Sequence, residues 1–232
     1  MLRRKNQSRQ TKIRHLITKL NPLSPISEQF RTIRTNLQFA SVDEALESVV
    51  VTSSEPSEGK SLTVANLAIV YAQQGKRVLL IDADLRKPTV HYTFRLDNLT
   101  GLSTVLVGEE SFNNTVQVSD VDNLDVITSG PIPPNPSELL GSKRMKHFIQ
   151  EANRVYDLVI IDSPPVLAVT DAQVLANLVD GSLLVVRSGQ TEYETAEKAK
   201  EALERSTSKL LGTVLNDLPK KGSSSYYYYY GS

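Results

Sequence analysis

A three-layer α/β fold, with a mostly parallel central sheet and helices on both faces, is predicted by two patterns in this 232-residue chain. Short runs rich in Val, Ile and Leu recur without clean polar alternation, which is how strands buried on both faces read. Helix-like segments separate them. Strand–helix–strand repetition implies right-handed crossovers that cover both sheet faces. The length suits one ordinary domain with a sizeable core.

Taken in order, residues 1–27 carry seven basic residues (Arg3, Arg4, Lys5, Arg9, Lys12, Arg14 and Lys19) and no acid. They read as a basic arm. It is either solvated or an electrostatic contact with anionic lipid or an acidic partner, in which each basic residue near a membrane contributes about 1 kcal/mol. Residues 28–217 form the predicted domain. On a helix, Glu28, Arg31 and Arg34 lie along one face, and Phe30, Ile33 and Leu37 form an apolar face that can pack on the domain. Strands are predicted at 48–52, 77–82, 124–128, 157–162, 182–187 and 210–216. Helices are predicted near 61–74, 142–155, 171–178 and 192–207, with Gly75 placed as a helix-ending glycine. Residues 218–232 read as a flexible tail rich in Gly and Ser, ending on five consecutive tyrosines: Tyr226, Tyr227, Tyr228, Tyr229 and Tyr230.

Composition excludes several function classes. Lys+Arg and Asp+Glu are 26 each, so the chain is not a globally basic nucleic-acid binder, and no nucleic-acid partner is expected. Without cysteine there is no disulfide, thiolate nucleophile or Cys-ligated metal. His15, His91 and His147 have no paired-ligand spacing, which argues against a zinc hydrolase. No apolar run reaches the ~20 residues of a membrane span, and no signal peptide opens the chain, so a soluble intracellular protein is expected.

The first strand runs directly into Ser53-Ser54-Glu55-Pro56-Ser57-Glu58-Gly59-Lys60-Ser61, and a helix follows from Leu62. Binding a nucleotide triphosphate here needs backbone N–H groups curled around the phosphates, an ammonium on the β/γ oxygens and a hydroxyl on magnesium. Gly59, Lys60 and Ser61 meet those demands, which makes the expected fold a P-loop fold. The match to GxxxxGK[ST] is incomplete, because Ser54 holds the first glycine position and Ser57 a second convenient one. An N-capping serine on an ordinary αβ turn has the same local look. Two further strand tips carry acids: Asp82-Ala83-Asp84 and Asp162. Ligands gather at the carboxyl ends of open parallel sheets, and a carboxylate there can hold magnesium, often through water. Each acid alone could be a turn or cap residue. Asn216 ends the last strand, where its amide can pair with an adenine edge or simply close a turn.

These segments resemble a known family. The SSEPSEGKS loop, LLIDADLRKP and LVIIDSPP are similar to the Walker A, Walker A′ and Walker B motifs of bacterial tyrosine kinases, the cytoplasmic kinases of capsular and exopolysaccharide assembly. Glu28-Gln29-Phe30-Arg31-Thr32-Ile33-Arg34 matches the family's ExxRxxR element. GPIPPNPSELL at 130–140 has family character, and the terminal tyrosines match its autophosphorylated cluster. The resemblance implies ATP as substrate and Mg2+ as cofactor, with Ser57, Glu58, Gly59, Lys60, Ser61, Leu62 and Asn216 around the nucleotide. Lys60 would contact the phosphates, Asp82 would accept the tyrosine proton, and Ser61, Asp84 and Asp162 would hold the metal. Ser57, where many relatives have glycine, departs from the pattern at a turn that favours positive φ.

The resemblance also implies a head-to-tail homo-oligomeric ring through Glu28, Arg31 and Arg34. It implies a transmembrane activator (a polysaccharide co-polymerase subunit) whose cytoplasmic end docks beside the nucleotide, and a cognate tyrosine phosphatase. The chain would then sit at the inner face of the membrane through that partner. The alternatives are a MinD/ParA-like regulatory ATPase and a non-catalytic adaptor whose tail another kinase modifies. Glu55 stands where MinD/ParA-type ATPases carry a second lysine.

Overall fold

The computed structural model describes residues 16–40 and 45–219; Tyr226 to Tyr230 and the basic residues up to Arg14 lie outside them. The elements in chain order are α1 (Ile17–Leu20), α2 (Pro25–Ala40), β1 (Ser48–Ser53), α3 (Lys60–Ala72), β2 (Val78–Asp82), α4 (Val90–Phe94), α5 (Leu102–Val107), α6 (Phe112–Thr115), β3 (Gln117–Val118), β4 (Leu124–Ile127), α7 (Pro136–Leu140), α8 (Lys143–Val155), β5 (Leu158–Asp162), α9 (Asp171–Ala176), β6 (Gly181–Arg187), α10 (Tyr193–Glu204) and β7 (Lys209–Asn216). The described strands form one sheet in the order β3-β4-β2-β5-β1-β6-β7. Pairing is parallel throughout except at the β3–β4 edge.

Both faces of the sheet are apolar, which is why the sequence shows no polar alternation. Val49, Val51, Leu80, Ile160, Leu183 and Val185 pack with Leu16 and with α2 to α4. Val50, Leu79, Ile81, Val159, Ile161 and Leu184 pack with α5 to α10 on the other side. The three-layer α/β fold follows directly. All six predicted strands are present, with ends moved by at most one residue. The two-residue β3 and the short helices α4 to α7 fall outside the sequence expectation, because they are too short to show a period. α6 depends on a local cap, in which the Asn114 N–H donates to Ser111 Oγ at 3.3 Å.

Helix α8 shows the logic of the outer layers. The Ser142 hydroxyl accepts the Met145 N–H at 3.2 Å and caps the helix. Met145, Phe148, Ile149 and Ala152 then recur at helical spacing and are all buried. Each large apolar side chain among them contributes about 1.5–3 kcal/mol by burial. Phe148→Ala is the single change that would most damage this contact, since the ring also stacks edge-on against Phe112 at 5.3 Å.

Residues 16–24, which the sequence places in the basic arm, are folded onto α3. The Thr18 N–H and hydroxyl donate to Asn66 Oδ1 at 3.0 and 2.8 Å, and Gln73 Nε2 donates to the Thr18 carbonyl at 3.0 Å. Leu16 is itself buried. Phe30, Ile33 and Leu37 of α2 pack on the same core, as the apolar face of that helix requires.

Candidate functional site

Strand β1 lies between β5 and β6, so its tip opens at the centre of the carboxyl rim. The loop from Ser54 leads into α3, which begins at Lys60. Two loop residues are left-handed: Ser57 at φ 72° and Gly59 at φ 87°. A side chain at Gly59 would be strained at that φ and would push aside the Asn216 amide, whose Nδ2 lies 2.1 Å from where a Cβ would sit. Ser57 adopts the turn without glycine, at a cost of about 1–2 kcal/mol for an L-residue in that region.

The Lys60 ammonium is buried against Asp162 Oδ1 and lies 3.2 Å from Ser61 Oγ. The register of β2 on β5 sets Asp82 directly opposite Asp162. Neither carboxylate is exposed to solvent. Asp82 Oδ2 accepts the Thr89 and Val90 N–H groups, each at 2.9 Å, and Oδ1 accepts the Asp84 N–H at 3.2 Å. Burial, then the neighbouring Asp162 charge, pushes the Asp82 carboxyl up to about 7, against the pull of those N–H groups and Lys60. Burial also raises Asp162, with the Lys60 ammonium opposing. Asp162 Oδ2 has no hydrogen-bond partner.

Asp84 is half-buried, and its Oδ1 accepts the Lys87 N–H at 3.0 Å and the Arg86 N–H at 3.3 Å. Among the described residues there is no cluster of three His, Cys, Asp or Glu side chains able to hold a metal alone. Magnesium takes one or two carboxylates and completes its shell with phosphate oxygens and water. The unpartnered Asp162 oxygen and the nearby Ser61 hydroxyl fit such an ion.

The remaining predicted residues are placed as follows. Leu62 is exposed on the first turn of α3, and its carbonyl accepts Asn66 Nδ2 at 2.9 Å. Asn216 Nδ2 donates to the Glu58 carbonyl at 2.8 Å, so one N–H of its amide is committed to the loop. Glu28 is exposed and pairs with Arg31 within α2, and Arg31 also donates to the Pro22 carbonyl at 2.7 Å. Arg34 turns inward and donates to the Val70 carbonyl of α3 at 2.8 Å.

Sequence reasoning missed two networks. Arg86 clasps the fully buried Asp171 through Nε and Nη2 at 2.9 and 3.1 Å, and Ser137 Oγ donates to the same carboxylate at 2.5 Å. This ties the Asp82–Lys87 turn to α7 and α9. An acid opening α9 is the local signal, but its partners lie 85 and 34 residues away. The second network joins Glu58 to Thr191, 133 residues apart. Two cavities, of about 440 and 430 Å³, lie elsewhere. One is around Glu47, Arg77 and Asp157, the other around Val166, Thr170 and Lys198. Among the described residues no helix is long and apolar enough to cross a membrane.

A family model described as an AAA domain matches residues 46–196. The tyrosine-protein kinase YwqD of Bacillus subtilis is 58% identical over 216 residues, covering 93% of this chain and 91% of its own length. The solved kinase domain of the Escherichia coli tyrosine kinase ETK superposes with a TM-score of 0.87 at 38% identity, covering 97% of this chain and 89% of that one. The crystal structure of a chimeric protein, CapA2B2, gives a TM-score of 0.86 at 46% identity, over 88% and 90% of the two chains.

Proposed function

The chain belongs to the bacterial tyrosine-protein kinases, and on that premise we propose that it is an ATP-dependent autokinase that phosphorylates Tyr226 to Tyr230 in capsular or exopolysaccharide assembly. The observation that carries the proposal is the convergence of Lys60, Asp82 and Asp162 at one point of the sheet rim. Three elements distant in sequence deliver one ammonium and two carboxylates there. Phosphoryl transfer asks for this kind of positioning and charge neutralisation more than for covalent help.

In this reading the loop amides from Ser57 to Ser61 cradle phosphate at the N-terminus of α3. The Lys60 ammonium serves the β/γ oxygens. Ser61, Asp84 and Asp162 would hold Mg2+, which when bound neutralises charge on the phosphates being parted. Asp82 orients the acceptor tyrosine hydroxyl and receives its proton late, since that hydroxyl has an ordinary pKa near 10. A tethered tyrosine tail supplies acceptor at high local concentration without a separate docking site. The exposed Glu28, with the half-buried Arg31 beside it, supports a ring contact between copies, and Arg34 links that helix to α3. A transmembrane activator recruits the chain to the inner face of the membrane, and a tyrosine phosphatase resets the tail.

The test is incubation with Mg-ATP and the cytoplasmic segment of a cognate activator, read by intact mass. Wild type gains phosphate, while Lys60→Met and the Tyr226–Tyr230→Phe variant do not. Undiminished phosphate gain in either variant would remove the proposal.

A further inference from the structure

Glu58 places an acidic side chain, 5% exposed, inside a loop read as binding anionic phosphates. Its carboxylate is fully engaged. Oε2 accepts the Glu55 N–H at 2.9 Å, and Oε1 accepts the Thr191 hydroxyl. Its main-chain carbonyl accepts Asn216 Nδ2. Glu58 is therefore held on three sides, between the two left-handed residues Ser57 and Gly59.

Thr191 is fixed in turn. Its hydroxyl oxygen accepts the Arg187 N–H at 2.8 Å, and its own N–H donates to the Arg187 carbonyl at 3.0 Å. The Arg187 guanidinium reaches Asp217 at 2.6 and 2.9 Å, and the Ser188 N–H donates to the Asn216 carbonyl at 2.8 Å. An unbroken path of hydrogen bonds thus runs from the carboxyl ends of β6 and β7 through Thr191 to the loop.

We propose that Thr191 is a positioning residue for nucleotide binding: through Glu58 it locks the loop at 53–61 to the ends of β6 and β7, so that phosphate meets a cradle already curled. The proposal rests on the reading of that loop as the nucleotide site. The charge of Glu58 is spent on the Glu55 amide and the Thr191 hydroxyl, which makes an acid tolerable there. Without Thr191 one carboxylate oxygen loses its donor inside a largely buried site. The strained Ser57 turn then loses part of what holds it, and the loop has more conformations to give up on binding.

The experiment is equilibrium titration of the full chain with a fluorescent ADP and Mg2+, without any kinase assay. Thr191→Val keeps the shape and removes the hydroxyl, and should weaken binding about tenfold, as expected for loss of a hydrogen bond to a charged group. Thr191→Ser keeps the hydroxyl and should bind within about twofold of wild type. Combining Thr191→Val with Glu58→Gln should be no weaker than Glu58→Gln alone, because both act through one contact. In autophosphorylation, Thr191→Val should raise KM for ATP and change kcat little.

Binding by Thr191→Val within about twofold of wild type would overturn the inference, as would Thr191→Ser as weak as Thr191→Val, or additive effects in the double variant. Failure of wild type itself to bind nucleotide, matching a Lys60→Met control, would instead take down the nucleotide reading and this inference with it.

Discussion

Lys60→Met should do more than abolish phosphotransfer: it should destabilise the nucleotide-free protein. The Lys60 side chain is 7% exposed and Asp162 is fully buried, so the ion pair has no water to fall back on. Removing one partner of a buried pair typically costs about 3–5 kcal/mol, because the other charge is left uncompensated. Here the orphaned Asp162 also faces Asp82 across the β2–β5 ladder. For a domain of this size the loss corresponds to a melting point lower by on the order of 10 °C.

The protein can escape by protonating a carboxyl. In the variant the folded carboxyl pKa then stands further above its unfolded value near 4. The folded state holds a proton that the unfolded chain releases, so stability rises as pH falls through that window. The deficit should therefore shrink from pH 8 toward about pH 5. Adding Asp162→Asn removes the orphaned charge and should recover about 2 kcal/mol or more. Urea denaturation of wild type, both single variants and the double variant at two pH values measures the cycle. A loss below about 1 kcal/mol for Lys60→Met, or no recovery in the double variant, would show that the pair and its acidic neighbour are not coupled as described.

Other consequences are simpler to check. Ser57→Gly relieves a left-handed L-residue but frees the unfolded chain, so a net gain of about 0.5–1 kcal/mol is expected in thermal melts; a loss would mean the serine side chain holds the turn. Asn66→Leu strips the acceptor from the Thr18 N–H and hydroxyl, should cost about 1–3 kcal/mol, and should speed tryptic cleavage at Lys19 in the native protein. The Arg77 guanidinium and N–H hold the exposed Asp157 carboxyl below its usual range. That contribution is present above the unfolded pKa and fades as pH drops through the lower folded one, so the gap in stability between wild type and Asp157→Asn should narrow below about pH 4.

The strands were legible because two apolar faces leave a dense Val/Ile/Leu signature, and the acids at 82 and 162 were legible because they break it at the strand ends. Their pairing was not. Nothing local says that β2 lies beside β5 with Asp82 opposite Asp162, since the sheet order inserts β5 between β1 and β2. Gly59, Lys60 and Ser61 could be read from their spacing alone. Glu58 was visible only as a loop residue, because its role depends on a threonine 133 residues away that belongs to no periodic pattern. Arg86 stood in a quoted motif without a task until Asp171 and Ser137 supplied one. The hold on Leu16 and Thr18 was not legible for a related reason. Leu16 and Thr18 look like any residues of a basic leader, and only the Asn66 side chain on α3 shows that they are held.

The same rim concentrates what is unfavourable in the fold: a left-handed serine, two buried carboxylates side by side and a desolvated lysine. Such features persist only where the surroundings over-determine them. Here the surroundings are a sheet whose Val49–Val51, Leu79–Ile81 and Val159–Ile161 segments are at most 1% exposed, with helices filling both faces. Relaxing the site would be easy by local chemistry, with glycine at 57 or amides for the acids. Amides for the acids would remove groups that the proposed metal and tyrosine need, whereas glycine at 57 would remove only the strain of an L-residue at positive φ. The stability of the apolar layers and the poor stability of the rim are therefore two halves of one arrangement. At the rim, Asp82→Asn should trade activity for melting temperature, whereas Lys60→Met, which breaks the buried pair, should lose both.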